Sequence, residues 1–271
     1  MVRGGEVGVT TGGKTSSLWL HPPAEMGEEL RRCMDPLGRH GGGCTIFFRA
    51  DDVGVPGYQF ARLVDLFRRH RVPLTLALVP AWLTARRWGR LLEISGRDPA
   101  LWGWAQHGWR HRNHAPQGKK EEFGPARPSG AKRRDLVRGF ERLSSLVGEE
   151  LLPIFVPPWN RCDEETLMAL RELGFKALSR SLGARPAAPP GLLDYPVNVD
   201  LHTRKEENPE AGRLALLQEL GEALSRPLCG IMIHHQWMNE AAFAFLDLLL
   251  QSLTRWRGAR LVHLGDLLGD G

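Results

Sequence analysis

The stretch Cys44-Thr45-Ile46-Phe47-Phe48-Arg49-Ala50-Asp51-Asp52 decides how this chain is read. Thr45 to Phe48 has the short apolar character of a buried strand. The Asp51-Asp52 pair follows at once, and α/β proteins place reactive groups where their strands finish. Two later segments repeat the arrangement. Trp102 to Gln106 leads into His107-Gly108-Trp109-Arg110-His111-Arg112-Asn113-His114, and Gly230 to Ile233 leads into His234-His235. Carboxylates and imidazoles arriving at one sheet end are the ingredients of a metal-assisted hydrolase.

Outward from this stretch, strand-like and helix-like segments alternate. Gln59 to His70 sets Phe60, Leu63, Val64 and Phe67 at helical spacing, and Leu74 to Val79 is a strand between Pro73 and Pro80. Asp135 to Val147 reads as a helix, and Leu152 to Val156 as a strand running into Pro157-Pro158. Asp163 is the expected N-cap of a helix through Leu173 that Gly174 ends. Further strands are expected at Lys176 to Ser179, Val197 to Val199 and Leu261 to Leu264, and further helices at Arg213 to Ser225 and Glu240 to Trp256. Alternating βα units without a dinucleotide glycine fingerprint imply a distorted (β/α) barrel of about seven parallel strands. Residues 1–43 are Gly-rich and read as a partly flexible N-terminal lead, with a short helix around Glu25 to Met34; residues 44–271 form the domain. Two loops, Ala115 to Gly130 and Ser181 to Gly191, are placed to rim a site.

Composition sets bounds. The 271 residues are 42% hydrophobic and 25% charged, which suits a soluble protein with a real core. The net charge of +5 is spread over segments such as Arg62/Arg68/Arg69 and Arg133/Arg134, and reads mainly as solvated helix faces. An anionic substrate or membrane surface is the minor reading. No nucleic-acid module is visible. The four cysteines are scattered without a CxxC pair, so a zinc ribbon is unsupported. No signal peptide or membrane-length apolar stretch is visible, giving the expectation of a cytoplasmic protein with no transmembrane segment.

His107 and His111 share a face if helical, and can share a ligand in a tight loop after a strand. With one carboxylate of the Asp51-Asp52 pair they make a set of two histidines and a carboxylate, which binds a divalent metal and leaves positions open. The second carboxylate is then free to act as a base.

With these residues in place, the chain resembles the polysaccharide deacetylase (NodB-homology, carbohydrate esterase 4-like) superfamily, as a divergent branch. Asp51-Asp52 looks like its paired-aspartate motif and His107 to His111 like its HxxxH motif. Val156-Pro157-Pro158-Trp159 looks like its Pro-aromatic motif, and Ile231-Met232-Ile233-His234 like its strand-then-His motif. The resemblance implies a NodB-like barrel and a metal-dependent hydrolase that removes an N-acetyl group from an amino-sugar-containing glycan or glycoconjugate. In that reading Asp51 is the general base, and Asp52, His107 and His111 hold a divalent metal, most often zinc. A backbone N–H near Trp159 stabilises the oxyanion, with Pro158 and Asn160 in the same oxyanion and substrate region. His234 protonates the leaving amine.

The chain departs from the family pattern in four places, the first being Arg49-Ala50 ahead of Asp51-Asp52, where the family more commonly has Thr-Phe. Val156 stands where an arginine usually pairs with the base, so Arg49 or Arg161 is the candidate replacement. His114 is an addition to the second motif. His235 stands beside His234, and on a strand the two face opposite sides, so one alone reaches the site. Asp200 is the candidate to orient that histidine. Competing readings are a deformylase or other amide hydrolase with the same site, a non-catalytic glycan-binding protein on a deacetylase scaffold, and a metal-free glycosidase using both aspartates. In the last, adjacent strand residues face opposite sides, so the pair would need a special turn.

Overall fold

The structure, a computed structural model, describes residues 15–39 and 43–269. Of the expected lead, Ser17–Leu20 (α1) and Met26–Arg39 (α2) are helices that pack on the domain, with Leu18, Trp19 and Leu30 inside its main apolar core. Residues 1–14 and 40–42 lie outside the described residues.

From Cys44 the chain alternates strands and helices: Cys44–Val53 (β1), Tyr58–His70 (α3), Leu74–Leu78 (β2), Ala85–Ser95 (α4), Trp102–His107 (β3), Ser129–Val147 (α5), Leu151–Val156 (β4), Glu164–Glu172 (α6), Ala177–Leu178 (β5), Leu193–Asp194 (β6), Val199–Asp200 (β7), Pro209–Leu224 (α7), Leu228–Ile233 (β8), Glu240–Arg255 (α8) and Ala259–Val262 (β9). α4 had no counterpart in the sequence reading; Thr84 caps it by accepting from the Arg87 N–H, and Trp88 and Leu91 are buried from it.

All the strands pair in parallel, in the order β6-β5-β4-β3-β2-β1-β8-β7, with β9 also on β1. A strand has two edges. β8 takes one edge of β1, so β9 (against residues 44–47) and β2 (against residues 49–53) share the other. The outermost strands, β6 and β7, are separated by only residues 195–198. Along this segment Val197 N–H donates to Arg180 O (2.7 Å), and Asn198 N–H donates to Gly230 O (2.8 Å). One extended stretch thus bonds to the β5 side and then to β8, and the sheet curls until its edges meet. The distorted barrel expected from the sequence is the fold observed, with nine strands rather than about seven.

Strand alternation sorts β1. Ile46, Phe48 and Ala50 face the helices in the main core, whereas Phe47 joins Ala77, Ala105, Ala177 and Met232 in a second cluster inside the curl. Arg49 and Asp51 follow Phe47 at the same parity, so they climb the inner face toward the strand ends.

Candidate active site

β1 carries two carboxylates to the mouth of the barrel by different routes. Asp51 arrives by strand alternation. Asp52 would face the other way, but its φ is +60° and the pairing with β2 shifts register between Ala50 and Val53. This is the special turn that adjacent carboxylates require, and it brings both into one cleft.

Asp51 is 3% exposed and clamped by Arg49, which is 0% exposed. Arg49 Nε donates to Asp51 Oδ1 and Nη2 to Oδ2, both at 2.8 Å, in the bidentate geometry that a guanidinium favours. The remaining donors are fixed by Ser179 O and Oγ (2.8 Å each) and Asn160 Oδ1 (2.7 Å). Burial works against ionisation of Asp51, but Arg49, with His107 and His234 nearby, holds its pKa below the ordinary value. Of the two arginines considered from the sequence, Arg49 is therefore the one that reaches Asp51. Arg161 turns elsewhere, donating to Lys120 O (3.0 Å).

Asp52 faces two imidazoles. Its Oδ1 lies 3.3 Å from His107 Nε2 and 3.0 Å from His111 Nε2, and it has no other hydrogen-bonding neighbour among the described residues. One ligand atom from each of these three residues falls within 4.8 Å of the others. His107 Nδ1 donates to Val156 O (2.9 Å), which leaves Nε2 as the ring atom that faces Asp52. Burial pushes His111 down to a pKa of about 4, leaving its imidazole neutral near pH 7. Without a metal, the two aspartates outweigh burial and raise the His107 pKa, so a proton can sit between His107 and Asp52; a divalent cation would take that place and use the His111 lone pair as well. The donor set, two imidazoles and a carboxylate, suits zinc or another borderline divalent ion. These residues fit the metal that the resemblance implied.

The HxxxH segment is a tight loop rather than a helix. Glu122, 1% exposed, accepts from the N–H groups of Trp109 (3.1 Å), Arg110 (2.7 Å) and His111 (3.2 Å) and so holds its shape. Burial raises the Glu122 pKa more than these three donors lower it. The sequence reading missed Glu122, since one acidic residue in the polar stretch 115–130 looks like its neighbour Glu121. Gly108 sits at φ +58°, and a Cβ there would collide with the Glu122 carboxylate and the Pro158 ring.

On the opposite wall, Trp159 and Asn160 both adopt positive φ (55° and 60°) after Pro157-Pro158. Asn160 N–H is bonded to Pro157 O (2.9 Å), while the Trp159 N–H has no partner among the described residues. The Asn160 side chain holds Arg49, and the residue also lines the cleft. The Trp159 ring lies 4.3 Å from His111 between centroids, and Trp82 lies 5.9 Å from it on another side.

His234 and His235 separate as alternation requires. His234 lines the cleft with its Nδ1 unpartnered. His235 is buried against Phe60 (5.8 Å between centroids), and burial pushes its pKa down to about 4. Asp200 does not orient His234. Its carboxylate accepts from His202 N–H (3.0 Å), Thr203 N–H (2.9 Å) and the Thr203 hydroxyl, because the chain turns immediately after β7. His234 instead meets His202, whose Nδ1 accepts from the His234 N–H (3.3 Å), and Trp237, whose ring lies 5.8 Å from it between centroids. His114 stands outside the cleft, its N–H bonded to Glu121 O (2.9 Å). Trp102 and Trp104 pack in the core. Both expected rim loops reach the cleft, through Gly118 to Lys120 and through Ser181 and Leu182.

No protein-family profile and no curated protein matches the chain. Solved structures do. A protein from Mycobacterium smegmatis assigned as a polysaccharide deacetylase superposes with a TM-score of 0.61 at 16% identity, over 85% of this chain and 90% of that one. A deacetylase solved with its substrate gives 0.53 at 16% identity, over 85% and 92%. A carbohydrate esterase family 4 pseudoenzyme from Bacillus anthracis gives 0.54 at 13% identity, over 84% and 66%. The fold of this chain is therefore that of the polysaccharide deacetylases of carbohydrate esterase family 4.

Proposed function

We propose that this cleft is the active site of a metal-dependent hydrolase that removes an N-acetyl group from an amino-sugar-containing glycan or glycoconjugate. One observation carries the reading: the Asp52, His107 and His111 ligand atoms converge within 4.8 Å beside a second carboxylate clamped by a buried arginine. Asp52, His107 and His111 would hold the ion, with zinc the first candidate. When bound, a divalent ion supplies Lewis acidity that makes water a nucleophile near neutral pH and polarises the amide carbonyl.

The residues of the chain supply the rest. Asp51 accepts a proton from the attacking water, and Arg49 keeps it ionised and aimed. The unpartnered Trp159 N–H donates to the oxygen where negative charge develops. His234, facing the same cleft with a free ring nitrogen, delivers a proton to the departing amine, which amide cleavage requires. Trp82, Trp159 and Trp237 offer aromatic faces along the cleft wall, suited to sugar rings.

The test is metal content by mass spectrometry, paired with acetate release from a panel of N-acetylated sugars before and after chelation. About one ion per chain is expected, lost in His107→Ala and kept in Asp51→Asn, with the latter slowed by roughly 10²–10⁴. A protein that takes up no divalent ion and ignores chelator sinks the mechanism. Metal uptake with no turnover on any amide, formamides included, favours the non-catalytic glycan-binding reading, which the likeness to a pseudoenzyme motivates.

A further inference from the structure

The cleft has a volume of about 1160 Å³, above the usual range for small-molecule sites of roughly 300–1,000 Å³. It has room for more than one sugar ring. Its charges divide unevenly between floor and rim. On the floor, Asp51 is neutralised by Arg49 and Asp52 faces the two histidines. On one wall, Glu219 is paired with Arg204 (2.8 Å), and the Asp200 carboxylate is filled by two N–H groups and a hydroxyl. Every lining carboxylate is thus accounted for. Six lining cations are not: Arg110, Arg112, Lys119, Lys120, Arg161 and Lys205 have no carboxylate partner among the described residues. Arg161 donates only to a carbonyl, and Arg110 stacks over Trp109 with its guanidinium 5.8 Å from the ring centre.

Helix-face arginines elsewhere are mixed: Arg32, Arg69, Arg90, Arg133 and Arg213 each pair with a glutamate or aspartate, whereas Arg86, Arg134 and Arg138 have no carboxylate partner among the described residues, so what marks the cleft is the clustering of its unpaired cations. Four of the six rim cations come from the single segment 110–120, which begins inside the HxxxH loop. The groups that hold the reacting centre and the groups that set the rim potential are therefore one piece of chain.

We propose that the substrate is an anionic glycoconjugate, an N-acetylated amino sugar carrying a phosphate or diphosphate ester, whose charged group is bound by this basic rim. The inference rests on the proposed hydrolytic function and adds its substrate class. Arginine forks and lysine point charges both suit phosphate oxygens, and a concave site concentrates their potential.

The test compares three N-acetylhexosamine probes with the metal-loaded enzyme. One is a neutral oligomer, one is linked to a nucleoside diphosphate, and one is linked to a polyprenyl diphosphate in detergent micelles. Acetate release is measured on the wild type, and calorimetric binding on Asp51→Asn. At least one charged probe is expected to exceed the neutral oligomer about tenfold in kcat/KM. That advantage shrinks as salt rises from about 0.05 to about 0.5 M. The Lys119→Gln, Lys120→Gln double variant is expected to lower the charged-to-neutral selectivity about tenfold, through KM rather than kcat. Which charged probe prevails identifies the source of the phosphate.

Equal turnover of all three probes, indifferent to salt and to the double variant, overturns the anionic substrate while leaving the hydrolytic function standing. Charged probes that bind Asp51→Asn, lose binding in the double variant and yet release no acetate from the wild type reverse that result: the anion site stands and the hydrolytic reading falls.

Discussion

Five oxygens surround the Arg49 guanidinium: both of Asp51, two of Ser179 and one of Asn160. A lysine keeps the charge but not the planar fork. Arg49→Lys is therefore expected to lower kcat at least about tenfold while bound metal stays at about one per chain, read by steady-state kinetics and metal analysis. An unaltered kcat would show that Asp51 needs no clamp. Gly108→Ala makes the complementary case. It forces a side chain into a left-handed position already crowded by Glu122 and Pro158, at a cost of about 1–2 kcal/mol from the backbone alone. Lower melting temperature and lost metal are expected together; retained metal would mean the loop tolerates the change. At this scale the sequence was readable where chemistry advertises itself. Asp52, His107 and His111 stand in motifs, and Arg49 was a named candidate. Choosing between Arg49 and Arg161 required three dimensions, because only the fold shows which guanidinium reaches across to β5. Asp200 misled for a similar reason: its role is decided by the turn that follows it, not by the strand before it.

Between elements, the buried Lys132 of α5 joins the Asp163 carboxylate, and its Nζ donates to Glu165 Oε2 (2.8 Å). Asp163 also caps α6 by accepting from Thr166 N–H (2.9 Å), so one lysine fastens two helices at a cap. Burial opposes the ammonium, but the two carboxylates outweigh it and raise the Lys132 pKa. The protonated form is thus favoured by folding. Its stabilisation is complete below the unfolded-state value of about 10.4 and disappears as pH climbs through the folded one. Lys132→Met is expected to cost about 2–3 kcal/mol at pH 7, less than a fully buried pair because the carboxylates retain some water. Denaturant melts check this, and the gap from wild type should narrow only in strong alkali. A gap that instead closed by pH 8 would refute the pairing. The Asp163 cap and α3 were legible because a cap residue and a 3.6-residue period are local signals. Strands were expected near β5 and β7, at Lys176 to Ser179 and Val197 to Val199, but β6, two residues long, carries no period and was not read; its pairing is imposed by the barrel.

Across the whole molecule, the curl is sealed by Asn198. Its N–H donates to Gly230 O, and its Oδ1 accepts from Gly230 N–H at 2.8 Å, so one residue serves β8 with backbone and side chain. Gly230 leaves no room for more, since a Cβ there would strike Phe47 and Pro196 O. Asn198→Ala strands a buried N–H and is expected to cost about 1–3 kcal/mol, measured by chemical unfolding. A change within error would show that the seam does not limit stability. Parallel topology was readable from alternating βα units, but the seam was not, since its partners lie far apart in sequence. The same holds for α1. Trp19 Nε1 donates to Leu201 O (2.7 Å), 182 residues away, and Trp19 O accepts from Asn239 Nδ2 (2.6 Å). Translation therefore imposes a waiting period. At about 5–20 residues per second, roughly 10–40 s pass between the emergence of Leu18-Trp19 and that of the carbonyl that receives them. Throughout that interval Leu18 and Trp19 are without the surface that buries them in the finished fold.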